Sequence, residues 1–183
     1  MTLSLICHSD FLADKIEAIT VDIGWDQYRV LTLTYRVSGE IGELELLQKE
    51  MPKRTDCLWQ QTCFEAFVGA KGQKNYLEFN LSPSTEWAVY AFEDHRRGMR
   101  NPDLIANPEI SLFEVGEELH LSAKLYLDGL PDMSADQLEL SATAVIEEKN
   151  GQKSLWALEH PSGNPDFHNR DCFVHQLEGS VSQ

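Results

Sequence analysis

Basic residues are scarce in this 183-residue sequence, where fifteen lysines and arginines stand against thirty aspartates and glutamates for a net charge of −15. Such an acidic chain repels nucleic-acid phosphates and anionic lipid surfaces at long range. No apolar run approaches the roughly 18 residues of a membrane-spanning helix, and the N-terminus lacks the basic start and long apolar stretch of a secretion signal. We therefore expect no nucleic-acid partner, no membrane partner and a cytoplasmic location.

Cysteines are few as well, with only Cys7, Cys57, Cys63 and Cys172, and no two of them form a Cys-x-x-Cys pair. In a reducing compartment these are expected to be partly buried thiols, although an oxidising one would allow three disulfide pairings. The sequence also lacks Gly-x-Ser-x-Gly, the phosphate-binding glycine loop, His-Glu-x-x-His and the dinucleotide glycine fingerprint. These absences argue against several common enzyme classes.

Strict alternation of apolar and polar residues dominates the chain. In residues 118–128, Leu119, Leu121, Ala123, Leu125 and Leu127 share one face, which predicts a half-buried strand. The same period predicts strands at 3–7, 16–23, 28–37, 63–68, 76–81, 87–92, 138–146, 154–158 and 172–177, separated by turn signals such as Asn150-Gly151. We therefore predict an all-β fold, an antiparallel β-sandwich of jelly-roll type formed as one domain by residues 1–183, with a closed barrel as the alternative.

Residues 58–81 carry an unusual combination of side chains. One face of these two predicted strands is apolar and is expected to pack in the core. It carries Phe64, Ala66 and Val68 from the first strand and Leu77, Phe79 and Leu81 from the second. The opposite face is predicted to present aromatic rings beside carboxylates and amides: Trp59, Gln61, Glu65, Tyr76, Glu78 and Asn80. Aromatic rings that pack on sugar C–H faces and polar groups that bond hydroxyls suit carbohydrate recognition.

Two other interpretations of this face stay open. An antiparallel sheet often has one ordinary solvated face, which needs no ligand. Alternatively, Glu65 and Glu78 on neighbouring strands are candidates for the paired carboxylates of a glycosidase, which lie roughly 5 to 10 Å apart. Arg96, Arg97 and Arg100 follow nearby and offer hydrogen-bond donors in either functional case.

Residues 160–171 form a second candidate region, a loop rich in proline, glycine, histidine, aspartate and arginine. Loops of this composition often carry function because a rigid scaffold positions them. His160, Asp166, His168 and Asp171 have metal-capable side chains, but their spacing matches no established zinc pattern. We expect a hydrogen-bonding loop and leave the metal question open.

The segments 58–68, 76–83 and 87–90, together with the loop 158–173, resemble DOMON-like bacterial proteins related to family 9 carbohydrate-binding modules. The resemblance implies a β-sandwich that binds a ligand without catalysis, and relatives in this group bind either sugars or haem. In family 9 modules two tryptophans clamp the sugar while a glutamate, an arginine and an asparagine bond its hydroxyls.

By motif spacing, the resemblance implies ligand-binding roles for Trp59 and Glu65. Trp87 or Trp156 is the candidate second clamp, Arg97 the donor and Asn80 the amide. The candidate ligand-binding residues are therefore Trp59, Glu65, Glu78, Asn80, Trp87, Arg97, His168 and Arg170.

Cofactor expectations follow from the same resemblance. Family 9 modules contain structural calcium, so calcium is possible here, although its ligands cannot be matched residue by residue. Haem is the weaker alternative, because Met51, Met99, His95 and His168 do not match the axial arrangement of haem-binding relatives. We predict a small-molecule partner, a sugar or a sugar nucleotide.

Overall fold

The computed structural model describes residues 1–130, 133–134 and 137–178, which contain eleven strands and three short 3-10 helices. The strands are β1 (Thr2–Cys7), β2 (Ile16–Trp25), β3 (Val30–Gly39), β4 (Cys63–Ala70), β5 (Tyr76–Leu81), β6 (Trp87–Phe92), β7 (Glu109–Val115), β8 (Glu118–Tyr126), β9 (Gln137–Glu147), β10 (Lys153–Ala157) and β11 (His175–Glu178). The 3-10 helices are Ile41–Glu43, Leu58–Gln60 and Arg170–Cys172. No helix in the described part of the chain is long and apolar enough to cross a membrane.

All strand pairs in the two sheets are antiparallel. Sheet I has the order β1-β2-β3-β8-β7, and sheet II has the order β6-β5-β4-β9-β10, with β11 beside the first half of β9. β1 joins the sheets, because Thr2 to Leu5 pair with β2 while Ile6 and Cys7 pair with β10. The result is one curled sheet folded over itself, which confirms the predicted antiparallel sandwich.

The main core lies between the two sheets and is built by the alternation seen in the sequence. Leu121 of sheet I and Phe64 and Phe79 of sheet II are all essentially inaccessible to solvent within it. Tyr35 crosses the core, where its ring packs 5.0 Å from that of Phe64 and its hydroxyl donates to the carbonyl oxygen of Glu65 at 2.6 Å. This bond fixes sheet I against the middle of sheet II.

The two end strands of the curled sheet differ in what lies beside them. Along β6, Arg54 pairs with Trp87 through a parallel bridge, and Arg100 pairs with Ala91 through an antiparallel one. β7 pairs with β8 on one side and is largely exposed, with Glu109 and Glu114 among its solvent-facing residues. The edge of β6 is therefore covered at two points, whereas β7 forms an acidic edge.

Ten of the strands lie where alternation predicts them, and β7 was not predicted. Its exposed side chains include Phe113 and Val115, so no consistently apolar face marks it as a half-buried strand. The predicted domain of residues 1–183 also includes residues 131–132, 135–136 and 179–183, which lie outside the described residues.

Candidate functional site

The candidate site is the face of sheet II that points away from the main core, called the outer face below. Its side chains alternate with those of the core along four neighbouring strands. They are Cys63, Glu65 and Phe67 of β4, Tyr76, Glu78 and Asn80 of β5, Ala88, Tyr90 and Phe92 of β6, and Glu139, Ser141, Thr143 and Val145 of β9. The predicted sharing of one face by Glu65, Tyr76, Glu78 and Asn80 therefore agrees with the structure.

This outer face is buried, which the sequence did not predict. Residues 54–61 cover it from one direction, where Leu58 is buried and Asp56 accepts a hydrogen bond from the Tyr90 hydroxyl at 2.6 Å. Residues 159–174 cover it from another, and Phe173 packs 5.9 Å from Phe67 between ring centroids. The interpretation as a solvated sheet face is thus wrong, and the open groove is replaced by a covered polar layer.

Two carboxyl groups lie within this layer, with Glu65 3% and Glu78 5% exposed. The Thr143 hydroxyl donates to Glu65 Oε2 at 3.0 Å, and the Asn80 amide donates to Glu78 Oε1 at 2.6 Å. Burial, followed by the neighbouring Glu78, raises the pKa of Glu65 to about 8. Burial also raises the pKa of Glu78, and the higher value for Glu65 favours its protonated state near neutral pH.

His168 lies beside Glu78 and is surrounded by aromatic rings. Its ring packs edge-on to Phe67 and Phe92 with centroids 5.1 Å apart in both cases. Burial, and then the charge of Arg96, lowers the pKa of His168 to about 4, which keeps the imidazole neutral at pH 7. The predicted site residues Glu78, Asn80 and His168 are therefore brought together.

The Tyr76 hydroxyl holds His168 in place beside Glu78. It accepts from the backbone N–H of Arg96 at 3.2 Å and shares a hydrogen bond of 2.8 Å with His168 Nδ1. The other ring nitrogen, Nε2, lies 3.7 Å from Glu78 Oε2. This separation exceeds that of a hydrogen bond, so the imidazole and the carboxyl group are adjacent without being bonded.

Asp166 links the 159–174 loop to the connection after β6. Its carboxylate accepts from Arg96 Nη2 at 2.8 Å and Nε at 3.2 Å, and it lies 2.7 Å from His95 Nε2. Burial alone would raise the pKa of Asp166, but the bonds from Arg96 and His95 hold it below its ordinary value. Arg96, rather than the predicted Arg97, is the arginine whose charge acts on Glu65 and Glu78.

Arg170 lies over β4 at Gly69, where a Cβ atom would lie 2.3 Å from Arg170 Nη1. Its Nη2 donates to the carbonyl oxygen of Ala70 at 2.9 Å and to Glu139 at 3.3 Å, and the guanidinium stacks 4.4 Å from the Phe173 ring centroid. These contacts hold the loop on the sheet, so Arg170 has a clear structural role in addition to any contact with a ligand.

The structure places Trp87 and Trp156 away from the outer face and leaves Trp59 and Arg97 exposed. Trp59 lies in the 3-10 helix Leu58–Gln60, which packs near β4 and β5, and it remains 51% exposed. Trp87 and Trp156 point into the main core, so the predicted second clamp is not on the same face as Glu65. Arg97 is exposed in the turn that follows β6, where its backbone N–H bonds to Asp94.

A cleft of about 570 Å³ opens beside the covered layer. It lies between the β4–β5 turn, the connection after β6 and the 159–174 loop, and Asp166 and Arg170 form part of its wall. Since Asp166 bonds Arg96, which in turn bonds Tyr76, only a few contacts separate the cleft from His168 and Glu78. This volume lies in the range of roughly 300 to 1,000 Å³ that holds small-molecule ligands.

The metal-capable residues of the loop are dispersed rather than gathered. His160 packs against His8, Asp166 bonds Arg96, and His168 is enclosed by rings. Across the residues that the structure describes, no group of three or more His, Cys, Asp or Glu side chains is arranged to hold a metal ion. The four cysteines, all of which are described, are free thiols, and burial raises the pKa of Cys63 well above its ordinary value.

Comparison with known proteins shows the class of fold. No family model matches the sequence, and no curated protein is significantly similar to it. A candidate carbohydrate-binding protein from Bacteroides uniformis has a TM-score of 0.71 at 12% identity, with 98% of this chain and 86% of that chain covered. A family 9 carbohydrate-binding module from Caldicellulosiruptor kristjanssonii, solved with glucose, has a TM-score of 0.59 at 9% identity, with 94% and 80% covered. The chain therefore has the fold seen in family 9 carbohydrate-binding modules.

Proposed function

We propose that this protein binds a carbohydrate without chemically altering it, and that recognition involves the outer face of sheet II and the adjoining cleft. One observation carries the proposal: the outer face buries carboxyl, amide and imidazole groups where an apolar layer would be more stable. Polar groups retained at such a cost are typical of functional sites. The similar folds of a glucose-bound module and a candidate carbohydrate-binding protein support the same conclusion.

The roles proposed for individual residues follow from their positions. Trp59 is the exposed aromatic surface on which a pyranose ring packs. Glu65, Glu78 and Asn80 bond hydroxyls, and a protonated carboxyl group can donate as well as accept. Because residues 54–61 and 159–174 cover these groups, contact with them requires one segment to move, and the Asp166 link to His95 and Arg96 is the contact that must open.

Membership of the DOMON-like group, a cytoplasmic location and the absence of nucleic-acid partners are parts of this proposal that rest on the sequence. Calcium and haem stay secondary proposals. Met51 and Met99, the methionines considered for haem, are 82% and 61% exposed, which makes neither a preformed axial ligand in this conformation.

The test is tryptophan fluorescence and thermal shift with a panel of neutral mono- and disaccharides, with calcium and hemin in separate arms. A ligand that binds only the folded state raises the melting temperature. We expect saturable changes with at least one sugar, and their loss in Trp59→Ala. Tyr28→Ala is the matched control, because Tyr28 is 70% exposed in the β2–β3 turn of sheet I.

Two results would contradict the proposal. A folded protein that responds to no sugar in the panel would argue against carbohydrate binding, and a Soret band with hemin would shift the assignment to a haem carrier. Turnover of chromogenic glycosides that disappears in both Glu65→Gln and Glu78→Gln would instead establish the glycosidase alternative, for which the raised pKa of Glu65 is the favouring observation.

A further inference from the structure

The cleft beside the covered layer has a charge pattern that restricts what can bind there. Four carboxylates line it, against two basic side chains, and a third basic residue, Arg96, pairs with one of these carboxylates, Asp166. The carboxylates are Asp94, Glu139, Asp166 and Asp171 and the cations are Lys74 and Arg170. The whole chain adds a field of the same sign, with its net charge of −15.

Both cations are already engaged by carboxylates of the cleft. Lys74 Nζ lies 3.3 Å from Asp94 Oδ2, and Arg170 Nη2 lies 3.3 Å from Glu139 Oε2. Arg170 is further held by the carbonyl oxygen of Ala70 and by the ring of Phe173. An anionic ligand would therefore meet each cation beside a carboxylate that already pairs with it, and the exposed carboxylate of Asp171 would add to the repulsion.

From this geometry we infer that the cleft admits uncharged and amino-bearing sugars and excludes phosphorylated sugars, sugar nucleotides and uronic acids. The inference rests on the proposed function and narrows its ligand class. A phosphate group would bring about −1.5 to −2 charges to a cleft whose carboxylates outnumber the basic side chains that pair with them. An ammonium group would meet the exposed carboxylate of Asp171 without displacing an existing pair.

The experiment compares a methyl glucoside, glucosamine and glucose 6-phosphate by calorimetric titration at constant low ionic strength. Binding of the first two sugars with no detectable phosphate binding is the expected result. Asp171→Asn should weaken glucosamine by about two- to fivefold, the size of one exposed charge contact, and leave the glucoside unchanged. Glu117→Gln removes an exposed carboxylate in the β7–β8 turn, away from the cleft, and should change neither affinity.

Salt separates an electrostatic preference from a steric one. The advantage of glucosamine over the glucoside should shrink when ionic strength rises from about 0.01 to 0.5 M, because exposed charges are then screened. Equal or tighter binding of the phosphate would overturn the charge inference and leave sugar binding intact. Failure of all three ligands and of the wider neutral panel would overturn the proposed function itself.

Discussion

Replacing Glu65 by glutamine should make the stability of the protein less sensitive to alkali. Between the ordinary carboxyl pKa of 4.5 and the native value of about 8, the unfolded chain releases a proton that the folded chain retains. The unfolded state then binds fewer protons, so the free energy of unfolding falls as the pH rises, by about 1.4 kcal/mol per pH unit. Glutamine keeps an oxygen for the Thr143 hydroxyl but carries no titrating proton.

The expected difference is large enough to measure. Between pH 5.5 and 7.5 the stability of Glu65→Gln relative to the natural protein should rise by about 3 kcal/mol. Urea denaturation at four pH values and constant ionic strength gives this difference directly. Since His168 titrates in both proteins, its contribution largely cancels in the comparison.

Glu117→Gln serves as the control, because its side chain is exposed and its curve should run parallel to that of the natural protein. A constant stability difference between Glu65→Gln and the natural protein across pH 5.5 to 7.5 would refute the reasoning. Such a result would mean that Glu65 is ionised in the folded state and that the covered layer is more hydrated than the structure indicates.

Three further predictions concern the main core, the contact between β4 and the 159–174 loop, and the stability of the protein in acid. Leu121→Ala should cost about 2 to 5 kcal/mol of unfolding free energy by leaving a cavity, whereas Leu12→Ala at a 60% exposed position should cost far less. Gly69→Ala should lower the free energy of unfolding by about 1 to 3 kcal/mol in urea denaturation, because the new Cβ would lie 2.3 Å from Arg170 Nη1. Gly42→Ala is the control, because there is open space around Gly42. The free energy of unfolding of the native protein should fall as the pH falls from 6.5 towards the His168 pKa of about 4. The variant His168→Gln should lack this part of the loss. Parallel acid denaturation curves for the two proteins would contradict this prediction.

Alternation along single strands was sufficient to predict the sandwich and the two faces of β4 and β5. Phe79 and Glu78 are neighbours in sequence, and the period of two correctly placed one in the core and the other on the outer face. The same rule places Trp87 on the core side, since it pairs with Leu81, so the structure does not support its grouping with Glu65.

The burial of the outer face could not be predicted in this way. It depends on residues 54–61 and 159–174, which consist of loop and short 3-10 helices and carry no periodic pattern of apolar residues. Bonds such as that from Arg96 to Asp166 join residues 70 positions apart, and two adjacent arginines offer no local signal of which one bonds Asp166. The loop composition identified the region, but only the fold shows which groups it covers.

The unequal ends of the curled sheet bear on how the protein behaves when concentrated. An open strand edge is a template for pairing between molecules. Proteins often protect such an edge with charged side chains or with another segment of the chain. Here the backbone of Arg54 and Arg100 occupies part of the β6 edge, while Glu109 and Glu114 give β7 a negative charge that repels the same strand of another copy. Because exposed charges are screened at high salt, raising the ionic strength should weaken this repulsion and favour filament-like association through β7.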